Sequence, residues 1–145
     1  MCLNHITKEF NPPDTSERGG WKVLIESAET LRTPFIGLVI PKNTWQDDYE
    51  NEPPIIHIEA HSGGSYCVGI HVFATREAAL EHVRLLPNCY GRFLQVVIAK
   101  VTVRNVMYEG TDASDYSKDY LEANLPVLVA REMRVDSVEQ LEPIA

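Results

Sequence analysis

The segment Phe93 to Val103, FLQVVIAKVTV, constrains the fold of this chain more than any other stretch. It holds neither proline nor glycine and is rich in β-branched residues, so it reads as a strand rather than a helix. Successive strand residues point to opposite faces. Val97, Ala99, Val101 and Val103 therefore line one face, while Val96 and Ile98 join Lys100 and Thr102 on the other. A first half that is apolar on both faces belongs in the middle of a sheet, with material packed above and below it.

The remaining pattern supplies partners for that strand. Gly20 to Ile25, Thr33 to Ile40, Ile55 to Ala60 and Tyr66 to Phe73 each read as strands by alternation or by short apolar runs. Gly69, inside the last of these, implies a bulge or a close backbone approach. Asn105 permits a kink, after which Val106-Met107-Tyr108 continues as a short strand. Leu125 to Val135 is the closing strand, with Pro126 near its start or on an edge. Val138, Leu141 and Ile144 read as a tail packed on the body. One helix stands out. Thr75 is a good N-cap, and Ala78, Ala79, Leu80, Val83 and Leu86 form an apolar stripe that ends at Pro87. Residues 1–19, with Pro12-Pro13 and Gly19-Gly20, read as an irregular arm. Strands, one helix, then more strands predict an α+β fold. The expectation is a single domain over 1–145, with a mostly antiparallel, twisted sheet of about six strands and a main helix over about 75–86.

Charge narrows the function. Over 145 residues, 13 Lys+Arg against 21 Asp+Glu give −8, which argues against direct binding to nucleic acid. No apolar run approaches the ~18–20 residues that span a bilayer, so no membrane partner is expected. Three cysteines, Cys2, Cys67 and Cys89, form no Cys-x-x-Cys and suit neither a disulfide framework nor a zinc ribbon. The start, MCLNHITKEF, lacks the charged and apolar regions of a signal peptide. A cytoplasmic protein with reduced thiols is the expectation.

Three groups of residues invite a functional reading. Two polar stretches hold aromatics among acids: Lys42 to Pro54 reads as a surface loop, and residues 112–124 as a loop or one frayed helical turn. Trp45, Asp47, Asp48, Tyr49 and Glu50 in the first, and Tyr116 and Tyr120 in the second, suit a basic protein surface. The second group is His57-x-Glu59-x-His61. On a strand these three residues share a face and form a candidate ligand set for a divalent metal, to which His71 would add a fourth member. The third is the passage from Gly69-Ile-His71-Val-Phe73 into a helix capped by Thr75, where free N–H groups favour an anion. No Gly-rich phosphate loop or nucleophile elbow occurs.

Met1-Cys2-Leu3, Trp21-Lys22-Val23-Leu24, Gly69 to Ala79, Gln95 to Val106 and Leu128 to Val135 together resemble small uncharacterised proteins of phages and prophages. No established activity comes with that resemblance; the −8 charge and the aromatics among acids predict a small acidic accessory protein of this phage or prophage type, without enzymatic activity, catalytic residues or cofactor, that binds and modulates a host protein with a basic surface, counter-defence being one such role. The same order of elements also resembles the ADP-ribosyltransferase core. This second resemblance implies an NAD-dependent enzyme, or an inactive nucleotide-binding relative, with His71, Thr75 and Glu132 around the nucleotide. Here Trp21-Lys22-Val23-Leu24 offers no His or Arg in the first strand. A metal-dependent enzyme built on His57, Glu59 and His61 is the third expectation.

Overall fold

The computed structural model describes residues 5–33, 39–47, 57–59, 65–67, 69–85, 95–113 and 124–141. Its spine is the pair β9 (Val96–Ala113) and β10 (Asn124–Gln140), antiparallel from Asn124↔Ala113 to Gln140↔Val97. The alternation of β9 is realised: Val97, Ala99, Val101 and Val103 are buried in one apolar cluster, Val96 and Ile98 in another on the opposite face. The short strand expected after Asn105 is instead a direct continuation of β9. The kink persists within it, because Asn105 adopts φ 56°, a left-handed conformation that Asn tolerates better than most residues.

Both edges of this spine are occupied in succession. Along β9, β2 (Arg18–Ser27) pairs from Ile25↔Val96 to Arg18↔Val103, and β1 (His5–Asp14) then takes over with Glu9↔Tyr108 and His5↔Thr111. Along β10, β8 (Ile70–Phe73) pairs Val127 to Ala130, and β5 (Trp45–Asp47) pairs Glu132 to Arg134. One further pair, Trp21↔Phe73, joins β2 to β8. The four strands β2, β9, β10 and β8 thereby close into a ring. β3 (Thr30–Arg32) and β4 (Val39–Ile40) extend the sheet beyond β2. A separate hairpin pairs β6 (His57–Glu59) with β7 (Ser65–Cys67).

α1 (Arg76–Leu85) covers one face of the ring. Thr75 Oγ accepts the Ala78 N–H at 3.1 Å, so the expected cap forms. Ala78, Ala79 and Val83 pack on Val23, Phe73, Ile98 and Val129. On the opposite face Leu24, Val72, Val97, Val101, Leu128 and Met133 form a second cluster.

Several expectations need correction. Among the described residues the fold is β-rich rather than a balanced α+β fold, with one short helix and an eight-stranded main sheet instead of about six strands. The supposed arm is largely strand, because β1 is an edge strand and prolines are tolerated there. Tyr66 to Phe73 is two strands in two different sheets, parted at Gly69. A Cβ on Gly69 would lie 2.6 Å from Met107 Cε and 2.8 Å from Val129 Cγ1, so the close backbone approach is real. The closing strand also runs past Val135 to Gln140, absorbing Val138 from the expected tail. Residues 34–38 of the expected strand Thr33 to Ile40, and Ile144, lie outside the described residues.

Candidate functional site

Two places on the ring gather polar side chains. The first is a rim where β9 and β10 bend. Inward residues alternate along β9 up to Val103 and resume at Val106; along β10 they run to Ala130 and resume at Met133. Both strands thus slip phase at the same level, leaving Arg104 and Asn105 opposite Arg131 and Glu132 outside this cluster. Arg104 donates to both carboxylate oxygens of Glu132, at 2.8 and 3.0 Å, and Asn105 Nδ2 donates to Oε2 at 2.6 Å. The Arg104 guanidinium, seconded by Asn105, holds the Glu132 carboxyl below the usual range.

β5 lies against this level. Asn43, at φ 57°, turns the chain so that its N–H donates to Val135 O at 2.8 Å. Trp45, Gln46 and Asp47 then face Arg134, Met133 and Glu132. The Trp45 ring receives the Arg104 guanidinium at 3.9 Å from its centroid and that of Arg134 at 5.0 Å. Arg134 is itself fixed by Asp136 Oδ1 at 2.6 Å, and Thr102 Oγ1 donates to Asp136 Oδ2 at 2.5 Å. Cation–π contacts of this kind contribute about 0.5–1 kcal/mol at exposed sites. Each guanidinium therefore meets a carboxylate and the same indole.

The second place is the junction of β2 and β8. Lys22 stands opposite Ala99, on the face that carries Leu24. Its Nζ donates to the His71 carbonyl at 2.8 Å. Beyond Trp21↔Phe73 the two strands no longer pair, and the ammonium supplies the donor that the ladder stops giving. Burial pulls the Lys22 pKa down to about 8. His71 Nδ1 lies 3.0 Å from Gly69 O, and burial, with the nearby Lys22 charge, pulls the imidazole down to about 3. A third buried group, His82 on α1, packs its ring 4.9 Å from that of Phe73 and is pulled by burial to about 4. Asp112 Oδ2 is 4.0 Å from its Nδ1, outside hydrogen-bond reach, so desolvation prevails over charge.

The residues singled out in the sequence are distributed as follows. Trp45 and Asp47 lie in a strand, where a loop was expected, because pairing with β10 overrides their polar neighbourhood. The rim also contains Glu132, which the transferase resemblance places beside a nucleotide; its carboxylate is here engaged by Arg104 and Asn105. His71 pairs with Val129, three residues along β10 from Glu132, while Thr75 follows β8 and caps α1. His57 and Glu59 sit on β6, in a sheet separate from the one that holds His71. Asp48, Tyr49, Glu50, His61, Tyr116 and Tyr120 lie outside the described residues. Among the described residues, no group of three or more His, Cys, Asp or Glu is arranged to hold a metal ion, and no helix is long and apolar enough to cross a membrane. Sequence reasoning missed Lys22, Arg104, Arg134 and His82. Only Lys22 left a signal, its position between Gly20 and Leu24 in strand alternation.

Comparison with known proteins returned no matching family model, no matching curated protein and no matching solved structure.

Proposed function

We propose that this chain is a small, non-enzymatic binding protein that engages a partner protein through the rim around Trp45, as an accessory factor of the phage or prophage type. The observation that carries this reading is the mounting of Trp45: a half-buried indole on a short edge strand, backed by two guanidiniums that are each fixed by a carboxylate. Tryptophan and arginine dominate the energetics of protein interfaces. An aromatic side chain already held in one orientation loses little conformational freedom on docking. The partner's chemistry follows from charge. Asp47 begins an acid-rich tract, Asp47-Asp48-Tyr49-Glu50-Asn51-Glu52, within a chain of net charge −8. Such a concentration of negative charge speeds encounter with a basic protein and slows it with an acidic one.

The test starts by cross-linking in the producing cell, to identify a basic partner. The purified pair is then titrated by calorimetry with the wild-type chain, Trp45→Ala, and the triple variant Asp47→Lys, Asp48→Lys, Glu50→Lys. Removing an interface anchor costs about 2 kcal/mol or more, so Trp45→Ala is expected to weaken binding roughly 30-fold. The charge reversal is expected to lower the association rate chiefly. Equal affinity for all three chains contradicts the proposal.

A further inference from the structure

We propose that the cavity at the end of the β3–β4 pair binds a small zwitterion with an aliphatic side chain, a free α-amino acid of leucine size. The site is formed by β3, β4 and the turn that precedes β3, and is independent of the Trp45 rim.

Three observations meet there. The first is a cavity of about 330 Å³ with an aliphatic wall of Leu31, Val39, Ile40 and Pro41. Leu31 and Ile40 are buried and pair with each other, so they make a fixed floor. Val39 is 51% exposed, the one large hydrophobic so exposed among the described residues. An apolar side chain laid against it removes that surface from water. The volume lies at the low end of the range of about 300–1,000 Å³ typical of small-molecule sites, which suits an amino acid and not a nucleotide.

The second is charge. Glu29 and Lys42 line the same cavity, and continuing the register Leu31↔Ile40 brings them level, one from each side of the pair. Among the described residues neither takes part in an ion pair. The cavity therefore presents one carboxylate and one ammonium that do not satisfy each other. A molecule with an ammonium and a carboxylate on the same carbon complements both, while its side chain covers Val39 and Pro41.

The third is the backbone. β2 and β3 are joined by the two-residue turn Ala28-Glu29, with φ 50° and 64°. Such turns favour Asn and Gly. Among the described non-glycine residues at positive φ, the others are asparagines, Asn43 and Asn105. Strain of this kind persists only where the surrounding structure imposes it, and it clusters at ligand sites; here it sets Glu29 on the cavity lining. The opposite side is anchored too: Lys42 bridges to Val135, and the Asn43 N–H donates to Val135 O at 2.8 Å.

The test uses the intact protein, L-leucine, and two analogues that each lack one charge: leucinamide, without the carboxylate, and isocaproate, without the ammonium. Binding is followed by calorimetry and by amide chemical shifts. L-Leucine is expected to shift the amides of Glu29, Thr30, Leu31, Val39 and Lys42, and each analogue to bind about tenfold more weakly. Glu29→Gln should weaken L-leucine about tenfold and leave isocaproate unchanged; Lys42→Met should do the same to L-leucine and leave leucinamide unchanged. Both residues are exposed, so the variants should melt like the wild type. No binding of L-leucine at millimolar concentration overturns the site, as do shifts confined to other elements. Equal affinity for all three compounds overturns the pairing of both charges. Shifts of these amides on raising protein concentration without ligand mark a second copy as the occupant and also overturn the proposal.

Discussion

The β9–β10 ladder and the β2–β8 seam belong to the same ring and are built by opposite means. The ladder runs the length of both strands, with valines and alanines interlocked on its inner face. The seam has one backbone pair, and a lysine side chain reaches for the next carbonyl. The ring closes through β2 and β8 with the single pair Trp21↔Phe73 among the described residues. The ladder supplies most of the backbone pairing; the seam supplies the least. The rim around Trp45 occupies a third position. It sits at the bend of the ladder, where a phase slip turns charged residues outward without loss of pairing.

Changes at the seam break this contrast most directly. Phe73 is buried, pairs with Trp21 and touches the His82 ring. Phe73→Ala should cost about 3–5 kcal/mol in urea unfolding, because it leaves a cavity beneath α1 as well as weakening the seam. A loss under 1 kcal/mol would mean that the seam carries no packing.

Acid provides a second means. His82 has its folded-state pKa pulled from 6.5 to about 4 by burial. The unfolded chain therefore takes up a proton near pH 6.5 that the folded chain refuses. Stability is complete above that pH and declines as pH falls toward about 4, by about 3 kcal/mol in all. His71, pulled to about 3, extends the decline in the same direction. His82→Phe should remove about half of the slope between pH 6.5 and 4 in thermal melts, His71 supplying the rest. An unchanged slope would show that His82 is charged, or exposed, in the native state.

The mildest change crowds the seam from within. A Cβ on Gly20 would meet Val72 Cγ2 at 2.8 Å and Phe73 O at 3.1 Å. Gly20→Val is expected to cost about 1–3 kcal/mol through overpacking. The same measurement on Gly19→Val sharpens the contrast, since a Cβ there meets nothing within 4 Å. Equal losses at the two glycines would place the strain elsewhere.

The ladder was far more legible in the sequence than the seam. Alternation in Val96 to Val103 assigned both faces of β9 correctly because one face is buried throughout and the other over Val96 and Ile98, and the Thr75 cap and helix stripe depend only on local chemistry. Features that depend on pairing were not legible. Pro12-Pro13 suggested an arm, since proline breaks interior strands, yet β1 lies at an edge. Trp45-Gln46-Asp47 lacks any apolar period and becomes a strand only because β10 presents an unpaired edge at Glu132 to Arg134. The Arg104–Glu132 and Arg134–Asp136 pairs depend on the register of β9 against β10 and on where both strands slip phase, neither of which composition encodes. Lys22 was the residue most open to misreading. A lysine in a strand suggests solvent, and only its shared face with Leu24 places it at the junction.

Native-state hydrogen exchange tests the contrast between ladder and seam most directly. Amides of Val97 to Val103 and Leu128 to Val135 should exchange only through global unfolding, tracking the denaturant dependence of the whole molecule. Amides at Trp21 and Phe73 should exchange through a smaller opening that denaturant barely affects. If both sets exchange together at the global limit, the ring has no weak seam.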